Sequence, residues 1–410
     1  MFVTDNVWDF KIAGRIKFGL DAVQELKNEI ENIAGANIVL ITDEGIKKAG
    51  ILDYIKDILK GQKVFIYDKV AADPDLKNFE EALDFSKKNK GEIFIGLGGG
   101  SSIDIAKVVS VVAMYGGDIM DYIAPPNGKG KSIKGNGYTM IAIPTTSGTG
   151  SEVSPAAVLT LSEKELKVGI SSQYIRPDLA IVDPVLTVSV PPHITASTGI
   201  DALSHAIESY ATKRFDHKKK PVSAGERPIY GGANIFTDLF AEKSIELIAQ
   251  NLRKAFNNGQ NLEARKNMSL ASLMAGISFT NAGLGLVHAL SFPLGGKFHA
   301  PHGISIAATL PAVMEFNAAS NFSVYKKIAL LMGEDIQNLS EREAALRSVK
   351  AVRELCADIN IPNISSFGVK KEHLPLIARD TMTIQRLLSG NPRLATEEDV
   401  LKICQNAYAG

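Results

Sequence analysis

The 410-residue sequence predicts an α/β N-terminal half, with a parallel Rossmann-like sheet and helices on both faces, followed by an all-helical C-terminal half. Three observations carry this expectation. Short β-rich runs alternate with helical patterns as far as Asp183-Pro184. Two glycine-rich turns directly follow strand-like runs. Beyond Pro191-Pro192, long helical patterns reach the C-terminus with no convincing strand.

The strand-like runs are Asn37 to Thr42, Lys63 to Tyr67, Glu92 to Gly96 and Tyr138 to Ile143. Helical patterns fill the intervals, over Asp21 to Ile33, Gly45 to Lys60, Asp75 to Asn89 and Ser102 to Tyr115. Parallel strands joined by helices bind ligands at their carboxyl ends, which is where both glycine turns lie. The domain boundary is expected near residue 186, giving domains 1–186 and 187–410 with a ligand cleft between them.

Composition bounds the function. Charge is balanced, 45 basic against 45 acidic residues, so neither a nucleic acid nor a membrane surface is an expected partner. Cys356 and Cys404 make neither a disulfide framework nor a thiolate metal site, which fits a reducing cytoplasm. No charged start precedes an apolar core at the N-terminus, so no signal peptide is read. The longest apolar stretch, Met268 to Leu290, is interrupted by Ser, Asn and Gly, so no membrane span is expected. A soluble cytoplasmic protein is the resulting expectation.

Three clusters carry chemistry. In the first, Gly96-Leu97-Gly98-Gly99-Gly100-Ser101 joins an apolar run to a helix, with Ser101 expected as its N-cap. Glycines let the backbone approach a pyrophosphate, and a helix N-terminus offers free N–H groups and a positive dipole end. Position 101 is Ser, so the G-x-G-x-x-G fingerprint is incomplete, and a plain structural turn would look the same. The second cluster is Pro144-Thr145-Thr146-Ser147-Gly148-Thr149-Gly150, which reads either as a ribose- or phosphate-binding loop or as a surface loop. The third is Asp201, His205, His288 and His302. Asp201 and His205 stand four apart in a helical pattern, so both project from one face. One carboxylate and three imidazoles suit Fe(II) or Zn(II), whereas a lone helical His is more often a packed core side chain. Asp43 closes the first core strand and reads two ways, as an acceptor for a ribose 2′-OH or as a helix N-cap.

Together these pieces resemble the iron-containing (group III) alcohol dehydrogenase family. The matching segments are Gly98-Gly99-Gly100-Ser101 with Asp104, Pro144 to Val153, Gly199-Ile200-Asp201-Ala202-Leu203-Ser204-His205-Ala206-Ile207-Glu208, Gly285-Leu286-Val287-His288-Ala289-Leu290 and Pro301-His302-Gly303, in the family's order and spacing over nearly the whole chain. The resemblance implies a dehydroquinate synthase-like fold, with residues 1–186 binding a dinucleotide and 187–410 a metal. It implies an oxidoreductase moving hydride between NAD(H) and a small primary alcohol or aldehyde, with Fe(II), Zn(II) or another divalent ion as second cofactor. Asp201, His205, His288 and His302 would be the ligands. Asp43, Gly98, Gly99, Gly100, Ser101, Asp104, Thr145, Thr146, Ser147, Thr149 and Lys167 would contact the nucleotide, Asp43 favouring NAD(H) over NADP(H). A homo-oligomer is also implied.

Two departures stand out. Many members carry a second His where this chain has Phe292, so a proton relay there would need another group, and His299 is a candidate neighbour. The stretch Lys213 to Gly232, with Lys218-Lys219-Lys220 and Arg227, is longer than the usual loop. Both features are similar to the hydroxyacid–oxoacid transhydrogenase branch, which keeps its nucleotide bound. That leaves a transhydrogenase as the alternative and a non-catalytic binding protein as a distant one. The cationic loop reads either as a solvated surface or as a positive field that steers anionic substrates such as semialdehydes.

Overall fold

Ile38, Leu40, Ile93, Ile95, Ile141 and Ile143 pack on one face of a sheet, while Val39, Ile41, Phe94, Met140 and Ala142 pack on the other. Strands buried on both faces read as continuous apolar runs, the signature of a covered parallel sheet. The computed structural model describes residues 4, 7–31, 33, 36–164, 166–223 and 226–409. Residue 32 of the expected first helix and residues 224 and 225 of the 213–232 loop lie outside them.

The elements are β1 (Arg15–Phe18), α1 (Leu26–Glu31), β2 (Ile38–Ile41), α2 (Glu44–Lys48), α3 (Ile51–Ile58), β3 (Val64–Tyr67), α4 (Leu76–Lys88), β4 (Ile93–Gly98), α5 (Gly100–Tyr115), α6 (Ile119–Tyr122) and β5 (Thr139–Pro144). They continue with β6 (Ala156–Leu161), β7 (Leu166–Ser171) and β8 (Leu179–Val182). Six strands form a parallel sheet in the order β1-β8-β5-β4-β2-β3, with Ile38 opposite Ile93 and Ile93 opposite Thr139. β6 and β7 form a separate antiparallel hairpin.

The sequence reading placed four of these strands and missed β1, β6, β7 and β8. β1 is an edge strand with two basic residues and no fully buried one, and the hairpin strands mix burial classes, whereas β8, Leu-Ala-Ile-Val, is apolar and fully buried but was not placed. The helix expected over Gly45 to Lys60 is two helices, because Gly50 takes a left-handed conformation (φ 76°) between them. Ser101 is not the N-cap of α5. Gly99 holds that position and Gly100 starts the helix.

Residues Ile12–Val190 make one compact unit, which includes the short 3-10 turn Pro184–Thr187. The described residues through Lys11 join those from Pro191 onward in the other. There Trp8 packs on Phe236 and Phe10 stacks on Phe240, while Asn281 both accepts from the Lys11 N–H and donates to its carbonyl. The second unit contains α7 (Pro192–Ala211), α8 (Ile235–Asn257), α9 (Leu262–Ala282), α10 (Leu286–Phe298), α11 (His302–Ala318), α12 (Phe322–Leu331), α13 (Glu341–Asp358), α14 (Leu374–Thr381), α15 (Gln385–Leu388) and α16 (Glu397–Ala409) around one apolar core. A Cβ on Gly199 would fall 2.3 Å from Leu252 Cδ1, so a glycine lets α7 and α8 approach closely. Among the described residues no single helix is long and apolar enough to cross a membrane. Helices α9 and α10 reach that length only as a pair bent by 101°.

Lys107 on α5 is fully buried. Its ammonium donates to Ser151 Oγ (2.7 Å) and the Ala156 carbonyl (3.0 Å), beside the Asp104 carboxylate at 3.3 Å. Asp104 also accepts from Ser151 Oγ and from the Val158 N–H (2.9 Å). This pair ties α5 to the second glycine loop and the hairpin. Because removal of one member of a buried pair strands the other, Lys107→Ala should cost about 3 kcal/mol and lower the melting temperature by roughly 6–12 °C. Scanning calorimetry checks this, and a shift below about 2 °C would contradict the tie.

Candidate metal centre and nucleotide turn

Helix α7 carries Asp201, His205 and Glu208 at i, i+4 and i+7, one stripe of its buried side. Helix α10 brings His288 in its first turn, and α11 begins with His302. The Nε2 atoms of His205, His288 and His302 stand 3.7, 3.7 and 3.8 Å from one atom, Asp201 Oδ1. Ligands about 2.1 Å from a shared ion at tetrahedral angles would stand ~3.4 Å apart, so little adjustment is needed. The potential ligand atoms of Asp201, His288 and His302 all lie within 4.8 Å of one another.

Packing orients the rings. His205 lies between Phe279 and His288, with ring centroids 4.2 and 4.8 Å away and interplanar angles of 20°. A Cβ on Gly303 would fall 2.6 Å from the Ser197 carbonyl oxygen, so only glycine lets the first turn of α11 close against α7. Asp201, His205 and His288 side chains are 3–6 % exposed and that of His302 is 37 %, so the cluster is reached from the His302 side.

Asp201 Oδ1 and His288 Nε2 are buried with no hydrogen-bond partner. Each unsatisfied atom costs about 1–3 kcal/mol, so the cluster has a built-in demand for a cation. Burial opposes charge on Asp201, yet His205, His288 and His302 outweigh it and hold the carboxyl well below the usual carboxylate range. Burial likewise opposes charge on His288, but Glu208 and Asp201 push its imidazole up to about 9. A divalent ion would take the place of the proton such a pair holds. The donor set and its orphaned atoms therefore fit a divalent metal.

Glu208 is the functional residue that the sequence reading quoted without giving it a task. Its Oε2 is 2.5 Å from His288 Nδ1, and its Oε1 accepts from the Val287 N–H at 2.8 Å. A carboxylate at Nδ1 keeps the proton there and leaves the Nε2 lone pair for an ion. Its spacing from Asp201 and His205 was the available signal.

In the other unit, the carboxyl ends of β2, β4 and β5 bring Asp43, Gly98 to Gly100 and Thr145 to Thr149 together. The Thr145 N–H donates to the Gly98 carbonyl at 3.0 Å. At Gly98 φ is +146° and a Cβ would fall 2.7 Å from Ser102 Oγ, so no other residue fits. A Cβ on Gly99 would meet nothing nearer than Thr146, at 3.7 Å, and no side chain caps α5. This open glycine cradle before uncapped N–H groups fits a phosphate. Asp43 Oδ1 caps α2 by accepting from Ile46 N (3.1 Å), and Oδ2 faces Ser102 Oγ at 3.5 Å. The two readings of Asp43 are thus compatible, since one oxygen serves the helix and the other lies beside Gly98. Lys167, on β7, pairs with Asp73 at 2.6 Å, and Asp104 is held in the Lys107 network.

His299 ends α10 in a left-handed conformation (φ 51°) and is exposed. Phe292 is partly buried against the helical core. In the 213–232 loop, the Lys218 ammonium turns inward to the Tyr230 carbonyl (3.1 Å), and burial, helped by Lys213, lowers it to about 8. Arg227 donates to the Val7 carbonyl at 2.6 Å. Lys218 is thus drawn inside the loop, while Lys219 and Lys220 are exposed and Arg227 is partly exposed, so three of the four expected cations stay at its surface.

The models for iron-containing alcohol dehydrogenase and for the C-terminal part of the Fe-containing alcohol dehydrogenase family match residues 13–184 and 226–408. Long-chain-alcohol dehydrogenase 1 of Geobacillus thermodenitrificans is 38 % identical over 396 residues, 96 % of this chain and 94 % of that one. The chain belongs to the iron-containing alcohol dehydrogenase family. A mitochondrial hydroxyacid-oxoacid transhydrogenase of Xenopus tropicalis is 32 % identical, over 94 % of this chain and 87 % of its own. Among solved structures, a 1,3-propanediol oxidoreductase superposes with a TM-score of 0.89 at 34 % identity, covering 98 % of this chain and all of that one. Sulfoacetaldehyde reductase from Bifidobacterium kashiwanohense, solved in complex with NAD+, does so with 0.84 at 28 % identity, covering 99 % and 100 %. Membership makes this chain a metal-dependent alcohol oxidoreductase with the dehydroquinate synthase-like fold.

Glu208→Ala should weaken divalent-metal binding by roughly 10–100-fold while Glu208→Gln, which keeps an acceptor for Nδ1–H, loses less. Competition of the loaded protein with a chelator measures both, and equal affinities in all three proteins would show that Glu208 does not orient His288.

Proposed function

We propose that this chain is an NAD(H)-dependent dehydrogenase that interconverts a small primary alcohol and its aldehyde, including carboxylate-bearing ones, with Fe(II) or a similar divalent ion at Asp201, His205, His288 and His302. The observation that carries it is the convergence of three Nε2 atoms on one buried, unpartnered carboxylate oxygen. When bound, the cation supplies Lewis acidity at the substrate oxygen and the nicotinamide supplies a hydride carrier.

The protein's own part is positioning and field. Asp201 supplies the negative charge that retains a cation, and Glu208 presents His288 through the correct nitrogen. Gly98, Gly99 and Gly100 admit a pyrophosphate to the first turn of α5, with Ser101, Thr145, Thr146, Ser147 and Thr149 as the polar groups beside it. Asp43 accepts from a ribose 2′-OH and repels a 2′-phosphate. Asp104 and Lys167 complete the nucleotide side, Asp104 also accepting from the Val158 N–H of the hairpin and Lys167 pairing with Asp73. An oligomer and a cytoplasmic location accompany this reading.

His288→Ala and His302→Ala should each lose metal and turnover together, as metal analysis and NADH absorbance on an aldehyde panel would show. Full activity of a metal-depleted variant would sink the site. If turnover occurs only when a ketoacid acceptor is added, with no free NADH appearing, the transhydrogenase reading replaces this one.

NADH should be preferred over NADPH. Asp43→Gly should raise the NADPH-to-NADH ratio of kcat/KM by about tenfold, the effect of removing ~1.4 kcal/mol of repulsion. A wild-type enzyme that uses both equally would show that Asp43 serves only as the cap of α2.

A further inference from the structure

Three helices bring ligands to the metal cluster, and one short turn near the C-terminus reaches all three. The Gly390 carbonyl accepts from Thr212 Oγ1 (2.6 Å) and from the Lys213 N–H (3.1 Å), at the end of α7. Asn391 Oδ1 accepts from the Leu286 N–H (3.2 Å), in the first turn of α10. Asn317 in α11 pairs with Asn391 amide to amide, Nδ2 of each donating to Oδ1 of the other at 2.9 and 2.8 Å. Arg393 adds a bond to the Phe316 carbonyl (2.9 Å) and lies 4.0 Å over that ring.

Asn391 is only 2 % exposed, and its second Nδ2 hydrogen goes to the Arg393 carbonyl at 2.7 Å. An amide has two donors and two acceptor sites, and all four are used here. The N-cap of α10 is Gly285, which offers no side chain, so two distant residues satisfy the first N–H groups instead. Leu286 goes to Asn391 and Val287 to Glu208, directly before His288. A Cβ on Gly285 would meet Asn391 Oδ1 at 2.8 Å and Glu208 Oε1 at 3.1 Å, so both acceptors close on the same glycine.

We propose that Asn391 is a positioning residue for the metal centre, holding α10 to α11 while the adjoining Gly390 carbonyl holds the end of α7, so that Asp201, His205, His288 and His302 keep one spacing. This rests on the metal-site reading above. Neither an aspartate nor an alanine can replace it. Aspartate would set a second oxygen against the Asn317 and Arg393 carbonyl oxygens, and alanine would leave the Leu286 N–H without its acceptor.

The test uses full-length protein stripped with chelator and reloaded with Co(II), whose visible spectrum reports ligand geometry. Asn391→Ala and Asn391→Asp are compared with Asn321→Ala, which removes the N-cap of α12 in the same unit, away from the ligands. The expected result is at least a tenfold loss of Co(II) affinity with an altered spectrum in both Asn391 variants. The Asn321 variant should lose thermal stability but keep wild-type affinity and spectrum. If Asn391→Ala does not fold, Asn391→Asp, which keeps the acceptor for Leu286, carries the measurement. Unchanged affinity and spectrum, or an equal loss in Asn321→Ala, overturns the clasp. Binding by wild type that survives His288→Ala undiminished overturns the metal reading itself, and the clasp with it.

Discussion

The helical unit is organised around a buried carboxylate oxygen that has no proton donor of its own. Asp201 Oδ1 sits at the meeting point of three imidazole nitrogens, with none of them at hydrogen-bond distance. Burying a charge without a partner is expensive, and in this arrangement only a cation satisfies all the groups at once. The features that look unrelated in sequence follow from that demand. Glu208 sets the tautomer of His288, Phe279 stacks on His205, and Gly303 and Gly285 leave room where helices and side chains must approach.

The sheet unit solves a different problem, that of bringing backbone N–H groups to an anion. Gly98 is left-handed and crowded by Ser102, while Gly99, with only Thr146 in ordinary contact distance, precedes a helix that no side chain caps. Behind that turn, the buried Lys107 and the partly buried Asp104 pair and hold the second loop against α5. Each unit therefore places ionisable groups inside the protein. In one unit a buried lysine paired with Asp104 supports the second glycine loop, and in the other a buried carboxylate gathers three imidazoles around one oxygen.

Elements and ligands differed in how far they could be read in advance. β2, β4 and β5 were visible because strands covered on both faces must be apolar throughout, and the edge strand β3 because all four of its residues are apolar or aromatic. β1 and the β6–β7 hairpin were not, because partial burial dilutes that pattern to a few residues. Asp201 and His205 declared themselves by helical spacing, and His288 and His302 through the family's motif order. Glu208 shares their helix face, but a helical glutamate ordinarily faces water, so its type alone carried no message. The inward turn of Lys218 was equally silent, since a run of lysines usually marks a solvated surface.

What the sequence determined by itself was the alternation of elements and the glycine turns, which depend on local spacing and residue chemistry, together with a candidate ligand set that rests on the Asp201–His205 spacing and on the family's motif order. Tertiary structure alone decided which nitrogen of His288 is free, which groups close on Gly285, and why Asn391 matters. The partners of the Ser389 to Arg393 turn lie 74, 105 and 178 residues away along the chain. Hydrogen bonds over such separations leave no periodicity, because their geometry is set by where packed helices end rather than by any repeat within them.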